Sequence, residues 1–481
     1  MNFAKAAWPL AFVLITPFDP SLFTNDSCLS NSFYGNYLDG SKTFSVLRPD
    51  LPCLETWTSQ TLAPSAAIAE AIRPIQQLVW LEEQAIDESL KAQTRSFRNE
   101  FDAFLDTLEA HTASQSYENL EQELMDTAHS RDSYELLYRT PTSALLSVHH
   151  DKARTIDTIV PRFWKSTLLP TSAIPFQPVP PSSVEHARRV LADLKFDPVV
   201  ASIVNNISVG QMYNDIRFLT GEDGKSGIIS RHSFSKGALT AAFWLKARFE
   251  DTGATCELKP FLIGFAPNVV CRYSALTNTS STVLFSAHYD SRGSFGSTRA
   301  PGADDDGSGT IALLSIARTI LRKGIKFHSN VELVAFAGEE QGLLGSRAYS
   351  RELRAANANL TIMVQADMLA YREPGEPRQL GLPDVVGSPI VTYLVANVSA
   401  IYSPELRVGF TPACCSDHKS FHEQGFPATQ VFERAGPIID PMYHNSGDLS
   451  ERLGYDFEQI RSIAKVQFAT LLHTAGYQLS K

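Results

Sequence analysis

The sequence lacks any apolar run long enough to cross a bilayer; the longest near the N-terminus, Ala6 to Phe18, is far too short. It also lacks a basic excess. Lys and Arg total 42 against 52 Asp and Glu, a net charge of -10, which argues against a nucleic-acid binder or a polybasic membrane-surface protein. Six cysteines in 481 residues are too few for a disulfide scaffold, although the even count leaves three pairs open. There is no internal repeat. What the chain does have is a 43% hydrophobic share, ample for a packed core, and a length that suits roughly two to three domains. The acidic balance by itself names no substrate.

The start of the chain, with Lys5 ahead of the apolar run, reads as a secretory leader over residues 1–20; a buried N-terminal strand is the alternative. Five Asn-x-Ser/Thr sequons, at Asn25, Asn206, Asn278, Asn359 and Asn397, add weak support for a secreted glycoprotein. Cys256 and Cys271 flank a Gly264–Pro267 turn between two strand-like runs, so cross-strand pairing in a hairpin is expected; Cys28 and Cys53 form a second candidate pair. Disulfides of this kind belong to an oxidising compartment. The expected location is therefore extracellular or vacuolar.

A proline-rich stretch, Pro170 to Pro181, cannot continue a helix and divides the chain. Residues 21–169 are read as a helix-rich accessory or propeptide region, from the helical spacing of Ile68, Ile72, Ile75 and Val79 and of Phe97, Phe101, Phe104 and Leu108. The run Ser143–Val148 has a strand texture, and His149-His150-Asp151 reads as an exposed turn rather than a ligand cluster, because adjacent side chains diverge. Residues 182–481 alternate strands with helices. Strands are expected at 283–287, 330–337, 361–366 and 428–432, with helices at 311–321, 342–353, 390–401 and about 457–472. That order predicts a three-layer α/β/α domain with a mixed, largely parallel central sheet, whose ligands sit at the C-terminal strand ends.

Acidic and histidine residues gather at just those ends: His288-Tyr289-Asp290, Asp304-Asp305-Asp306, Glu339-Glu340 and Ala366-Asp367, with Tyr443-His444 and Asp448 late in the chain. Each motif alone is a common turn or helix cap. Converging carboxylates, however, repel one another unless a cation neutralises them, and two histidines with several carboxylates suit Zn²⁺. The ligands exceed what one tetrahedral ion takes, so two ions sharing a carboxylate fit better.

This ordered set of motifs, from about Ser182 to the C-terminus, resembles the secreted two-zinc aminopeptidases, the metallopeptidase family of bacterial leucyl aminopeptidase and vacuolar aminopeptidase Y. The resemblance implies two Zn²⁺ ions per chain, with Asp305 bridging, His288 and Asp367 on one ion, and Glu340 and His444 on the other. It further implies Glu339 as general base, Asp290 as the carboxylate that orients His288, and Tyr443 as a hydroxyl steadying the tetrahedral intermediate. The chemistry follows from ordinary principles: water bridging two Zn²⁺ ions has a lowered pKa, Glu339 accepts its proton, and the hydroxide attacks the peptide carbonyl.

Neighbouring residues carry further expectations. Asp306 is read as a helix cap, and Asp448 either orients His444 or caps a following helix. In the family a cysteine before Ser-Asp-His pairs with one four residues earlier; here that position is Thr411, and Cys415 is preceded directly by Cys414. A vicinal disulfide, two thiols or another partner all stay open. His418 and His422 are read as structural. The function expected is an extracellular zinc aminopeptidase acting on peptides as a monomer, with no nucleic-acid or membrane partner. The alternatives are a related carboxypeptidase or dipeptidase, a one-zinc glutaminyl cyclase, or a silent binding ectodomain.

Overall fold

The computed structural model describes residues 11–23, 27–60, 65–93, 100–115 and 134–480, so residues 1–10 of the expected leader and the Asn25 sequon lie outside the described residues. The chain forms two compact units. The first comprises residues 1–84 and 94–176; the second comprises Ala85–Gln93 together with Gln177–Lys481. The division at Phe176 falls inside the proline-rich stretch, and Gln177–Pro181 belong to the second unit.

The first unit contains two four-stranded sheets. Strands β1 (Ala11–Pro17), β2 (Phe33–Asp39), β3 (Lys42–Leu47) and β4 (Ala67–Ala71) lie in the order β2-β3-β1-β4. Strands β5 (Gln77–Glu83), β6 (Tyr134–Arg139), β7 (Ser143–Val148) and β8 (Trp164–Leu168) lie in the order β6-β7-β5-β8. The N-terminal region thus has sheets beside its helices. The helical spacing of Ile68 to Val79 is not realised, because β4 and β5 occupy it; burying Val79 and Leu81 in a sheet core outweighs a weak local pattern. The second spacing is helical over its described part, where Glu100–Gln115 buries Phe101, Phe104 and Leu108 on β5 and β7 residues; Phe97 lies outside the described residues. The apolar run read as the heart of a leader supplies β1, with Val13, Leu14 and Ile15 fully buried. Cys28 and Cys53 are bonded, and His149-His150 are exposed at the start of a short helix.

The second unit is built on a six-stranded sheet. Its strands are β9 (Thr255–Lys259), β10 (Asn268–Tyr273), β11 (Thr282–His288), β13 (Asn330–Phe336), β14 (Leu360–Ala366) and β17 (Ala428–Val431), in the order β17-β14-β11-β13-β10-β9. Two further pairs, β12 (Ile325–Phe327) with β18 (Tyr477–Leu479) and β15 (Gln379–Pro383) with β16 (Arg407–Thr411), lie outside it. Strands β11, β13, β14 and β17 are parallel to one another, and β9 and β10 join antiparallel, which gives the mixed, largely parallel sheet. Cys271 stands opposite Cys256 in the β9–β10 ladder and the two are bonded, with Cα atoms 4.1 Å apart.

Alternation along the strands makes the three layers. Val283 and Phe285 of β11 face a large cluster that includes Ile311, Ile316, Val395, Ile463 and Phe468 from three helices. Leu284, Val334 and Met363 face the other way, onto Tyr349, Phe421 and Phe426. Each such side chain contributes roughly 1.5–3 kcal/mol by leaving water. The helix Gly309–Lys323 ends on Gly324 at φ 59°, a left-handed position that glycine takes without cost.

Candidate metal centre

The parallel strands end on one edge of the sheet, so their following turns converge. β11 ends in His288, the turn after β13 carries Glu339 and Glu340, and Asp367 follows β14. Between β11 and the helix Gly309–Lys323 the chain makes a wide turn, Ala303–Ser308, that delivers Asp305. Gly302 opens this turn at φ 55°, where a Cβ would collide with the Asp305 carbonyl and the Ser291 side chain.

Asp305 stands at the middle. Its Oδ1 lies 3.3 Å from His288 Nε2 and its Oδ2 3.4 Å from His444 Nε2. Asp367 Oδ1 is 3.7 Å from His288 Nε2, and Glu340 Oε2 is 3.2 Å from His444 Nε2. Two donor groups result, His288–Asp305–Asp367 and Asp305–Glu340–His444, and Asp305 is common to both. The five residues expected from sequence as ligands are thus brought together. His288 Nε2 and Glu340 Oε1 are sealed from water without a hydrogen bond. Buried imidazole nitrogens and carboxylate oxygens aimed at one another, with orphaned atoms among them, fit divalent cations of borderline hardness.

Electrostatics agrees with that arrangement. Burial alone would raise the Asp305 carboxyl, but the imidazoles of His288 and His444 hold it far below the usual carboxylate range. Burial disfavours charge on His288, yet the Asp290, Asp305 and Asp367 carboxylates outweigh it and push the imidazole well up. His444 also moves up against its burial, chiefly through Glu340. Protons stand in where cations would neutralise the same carboxylates.

The supporting groups are more extensive than the sequence indicates. His288 Nδ1 faces the Asp290 main-chain carbonyl at 3.2 Å and its carboxylate at 3.5 Å. The Asp290 carboxylate meanwhile accepts the N–H groups of Glu339 and Glu340, each at 3.3 Å, and the Ser233 hydroxyl at 3.0 Å. Ser233 Oγ accepts the Gly338 N–H at 2.8 Å, so it ties Asp290 to the same turn. Asp306 caps its helix through Gly309 N–H at 2.9 Å, and also accepts His288 N–H and Met368 N–H. Asp448 neither orients His444 nor caps a helix. Its carboxylate accepts the N–H groups of Asp304 and Asp305, and Arg452 binds it at 2.9 Å.

Arg231, fully buried, donates to the carbonyls of Tyr289, Leu219, Pro301 and Gly302, which pins the β11 end to the loop before Asp305. Sequence reading did not single out Arg231, Ser233 or Arg452, because nothing in their local spacing distinguishes them. Tyr443 is buried, its ring stacked on His444 with centroids 3.8 Å apart. Burial, then the Asp305, Glu340 and Glu339 carboxylates, push its hydroxyl far up, so it stays a protonated donor. His444 and Met368 both sit at left-handed φ, 50° and 51°, a cost of roughly 1–2 kcal/mol each that the packed surroundings must hold.

Cys414 and Cys415 are bonded to one another, which resolves the pairing left open by the sequence. His418 lies inside the protein with Nε2 3.2 Å from the Val386 carbonyl, and neither His418 nor His422 joins a donor group among the described residues.

Residues 268–470 match the model of peptidase family M28. Leucine aminopeptidase 1 of Grosmannia clavigera is 29% identical over 292 residues, which are 56% of this chain and 69% of that protein. Leucine aminopeptidase 1 of Sclerotinia sclerotiorum is 34% identical over 192 residues, 37% of this chain and 49% of that one. The crystal structure of LapA aminopeptidase from Legionella pneumophila superposes with a TM-score of 0.57 at 18% identity, covering 74% of this chain and 97% of the other, which shows a shared fold.

Proposed function

We propose that this chain, whose residues 268–470 match the model of peptidase family M28, is an aminopeptidase that removes N-terminal residues from peptides outside the cell with two zinc ions. The observation that carries this reading is the pair of donor groups sharing Asp305, since one carboxylate common to two sets is what a two-ion centre needs. His288 and Asp367 would hold one ion and Glu340 and His444 the other. Zn²⁺ in such a site supplies Lewis acidity and lowers the pKa of water.

The chain's own residues do the remainder. Glu339 takes a proton from the attacking water and returns it to the departing amine. Its turn is fixed by Asp290, which receives both glutamate N–H groups. The Tyr443 hydroxyl, kept protonated by burial, donates to the developing oxyanion. The His288 tautomer with hydrogen on Nδ1 is held by the Asp290 carbonyl and leaves Nε2 free to ligate.

An extracellular location is supported by three disulfides and by four described sequons, Asn206, Asn278, Asn359 and Asn397, all exposed. No helix among the described residues is long and apolar enough to cross a membrane. In this reading residues 21–169 are an accessory region and 170–181 a linker. Export would use residues 1–20, and since Ala11–Pro17 also supply β1, N-terminal sequencing of the exported protein decides whether that leader is removed or kept.

The direct test is hydrolysis of aminoacyl-arylamides and N-blocked peptides, with and without a chelator. Chelator-sensitive release from free N-termini supports the reading. Activity on blocked peptides alone would replace it with a carboxypeptidase, and cyclisation of N-terminal glutamine with one Zn²⁺ per chain would replace it with a glutaminyl cyclase.

A further inference from the structure

Nine residues from the middle of the N-terminal half, Ala85–Gln93, belong to the second unit rather than the first. They pair with the loop that leads from β17 to the Tyr443-His444 turn. Asp87 N–H donates to the Ile438 carbonyl and Ile438 N–H donates to the Ala85 carbonyl, both at 2.8 Å, so a short parallel ladder forms around Ile86 and Ile438. Both isoleucine side chains are buried. The Asp87 carboxylate receives Arg434 Nη1 at 3.2 Å, and Arg434 also binds Glu376 and the Pro437 carbonyl.

The loop runs straight from this ladder into the site. Two residues past Ile438, Asp440 accepts the Met442 N–H on its carboxylate and the Tyr443 N–H on its carbonyl, at 2.8 and 3.2 Å. Arg452 binds Asp440 at 2.7 Å and Asp448 at 2.9 Å. On one side, then, the turn bearing Tyr443 and His444 is tied to the Asp305 loop through Arg452. On the other side the ladder to residues 85–87 holds it.

We propose that Ala85–Gln93 is a strap in cis that fixes the loop carrying Tyr443 and His444, with Ile86 and Asp87 as positioning residues. The inference rests on the peptidase reading for its consequence, not for its geometry. It changes what processing of the N-terminal half means: a cut in the proline-rich linker leaves the strap in place only while this segment stays bound. A loop held at its ends alone samples many conformations, and a ligand on it binds metal with the competent fraction only.

The test is Asp87→Ala in the full chain. Amide hydrogen exchange over residues 434–444 in the metal-free protein should quicken, and bound Co²⁺ should pass to a chelator roughly 10-fold faster, the scale of losing an outer support of a metal ligand. Exchange in β11, β13 and β14 should not move. Asp87→Glu, which keeps the carboxylate, should restore both readouts. Unchanged exchange over 434–444 in folded Asp87→Ala overturns the strap whatever the activity does. If that variant does not fold, the unmodified chain decides: Asp87 and Ile438 amides exchanging as fast as open peptide overturn the strap, and amides as protected as the core strands uphold it. A chain that takes up neither Zn²⁺ nor Co²⁺ overturns the metallopeptidase reading, and the exchange measurement still judges the strap.

Discussion

The Asp448 carboxylate accepts the main-chain N–H of Asp305 at 3.1 Å across 143 residues of sequence, and takes the Asp304 N–H beside it. One side chain thereby aims the carboxylate shared by both donor groups. Asp448→Ala should weaken metal binding by about 10–100-fold, the range for loss of an outer-shell partner, and Asp448→Asn, which keeps one acceptor oxygen, should weaken it less. Competition with a chelating dye measures this. Equal affinities in all three proteins would remove Asp448 from the support of the site.

Glu339→Gln should keep its metal and lose turnover by roughly 10²–10⁴-fold, because the amide fills the same space but accepts no proton. Metal content by elemental analysis, alongside kcat, separates the two. Retained turnover would move the base to another group.

Ser233 bridges Asp290 and Gly338 with one hydroxyl. Ser233→Ala should lower kcat by about 10-fold with KM little changed, since the turn that carries Glu339 and Glu340 loosens. A change confined to KM would contradict this.

The Asp417 carboxyl is pushed up to about 7 by burial, with Asp290 and Asp367 adding to it and His288 opposing. An unfolded aspartate titrates near 4, so between about pH 4 and 7 the folded chain holds the extra proton and this residue's contribution to stability falls as pH rises. Asp417→Asn abolishes that term. In metal-free protein, the Tm of Asp417→Asn minus that of the unmodified chain should grow as pH rises from 4 to 7. A pH-independent difference would contradict the assignment.

The order of motifs was legible because each lies where an apolar strand ends, and strand, turn and helix signals are local. His288, Asp305, Glu340 and Asp367 could be placed on one edge once the sheet was read as parallel. The Cys256–Cys271 bond was legible for the same reason, since a hairpin brings its own flanks together. The role of Asp448 is not legible in the sequence, because its partners Asp304 and Asp305 lie more than a hundred residues upstream. The stretch from Ile68 to Val79 has the spacing of a helix in Ile68, Ile72, Ile75 and Val79, and only pairing with distant strands places Ile68 in β4 and Val79 in β5.

The sequence by itself determined which side chains could carry the chemistry, the α/β character of the second unit and the cysteines of two of the three disulfides, all properties of residue type and short-range pattern. The tertiary structure decided which groups aim them. Arg231, Ser233, Asp448, Arg452 and the segment Ala85–Gln93 act through hydrogen bonds to main-chain atoms far away in the chain. Main-chain donors and acceptors are the same at every position, so no residue pattern marks which of them a distant carboxylate or guanidinium will meet.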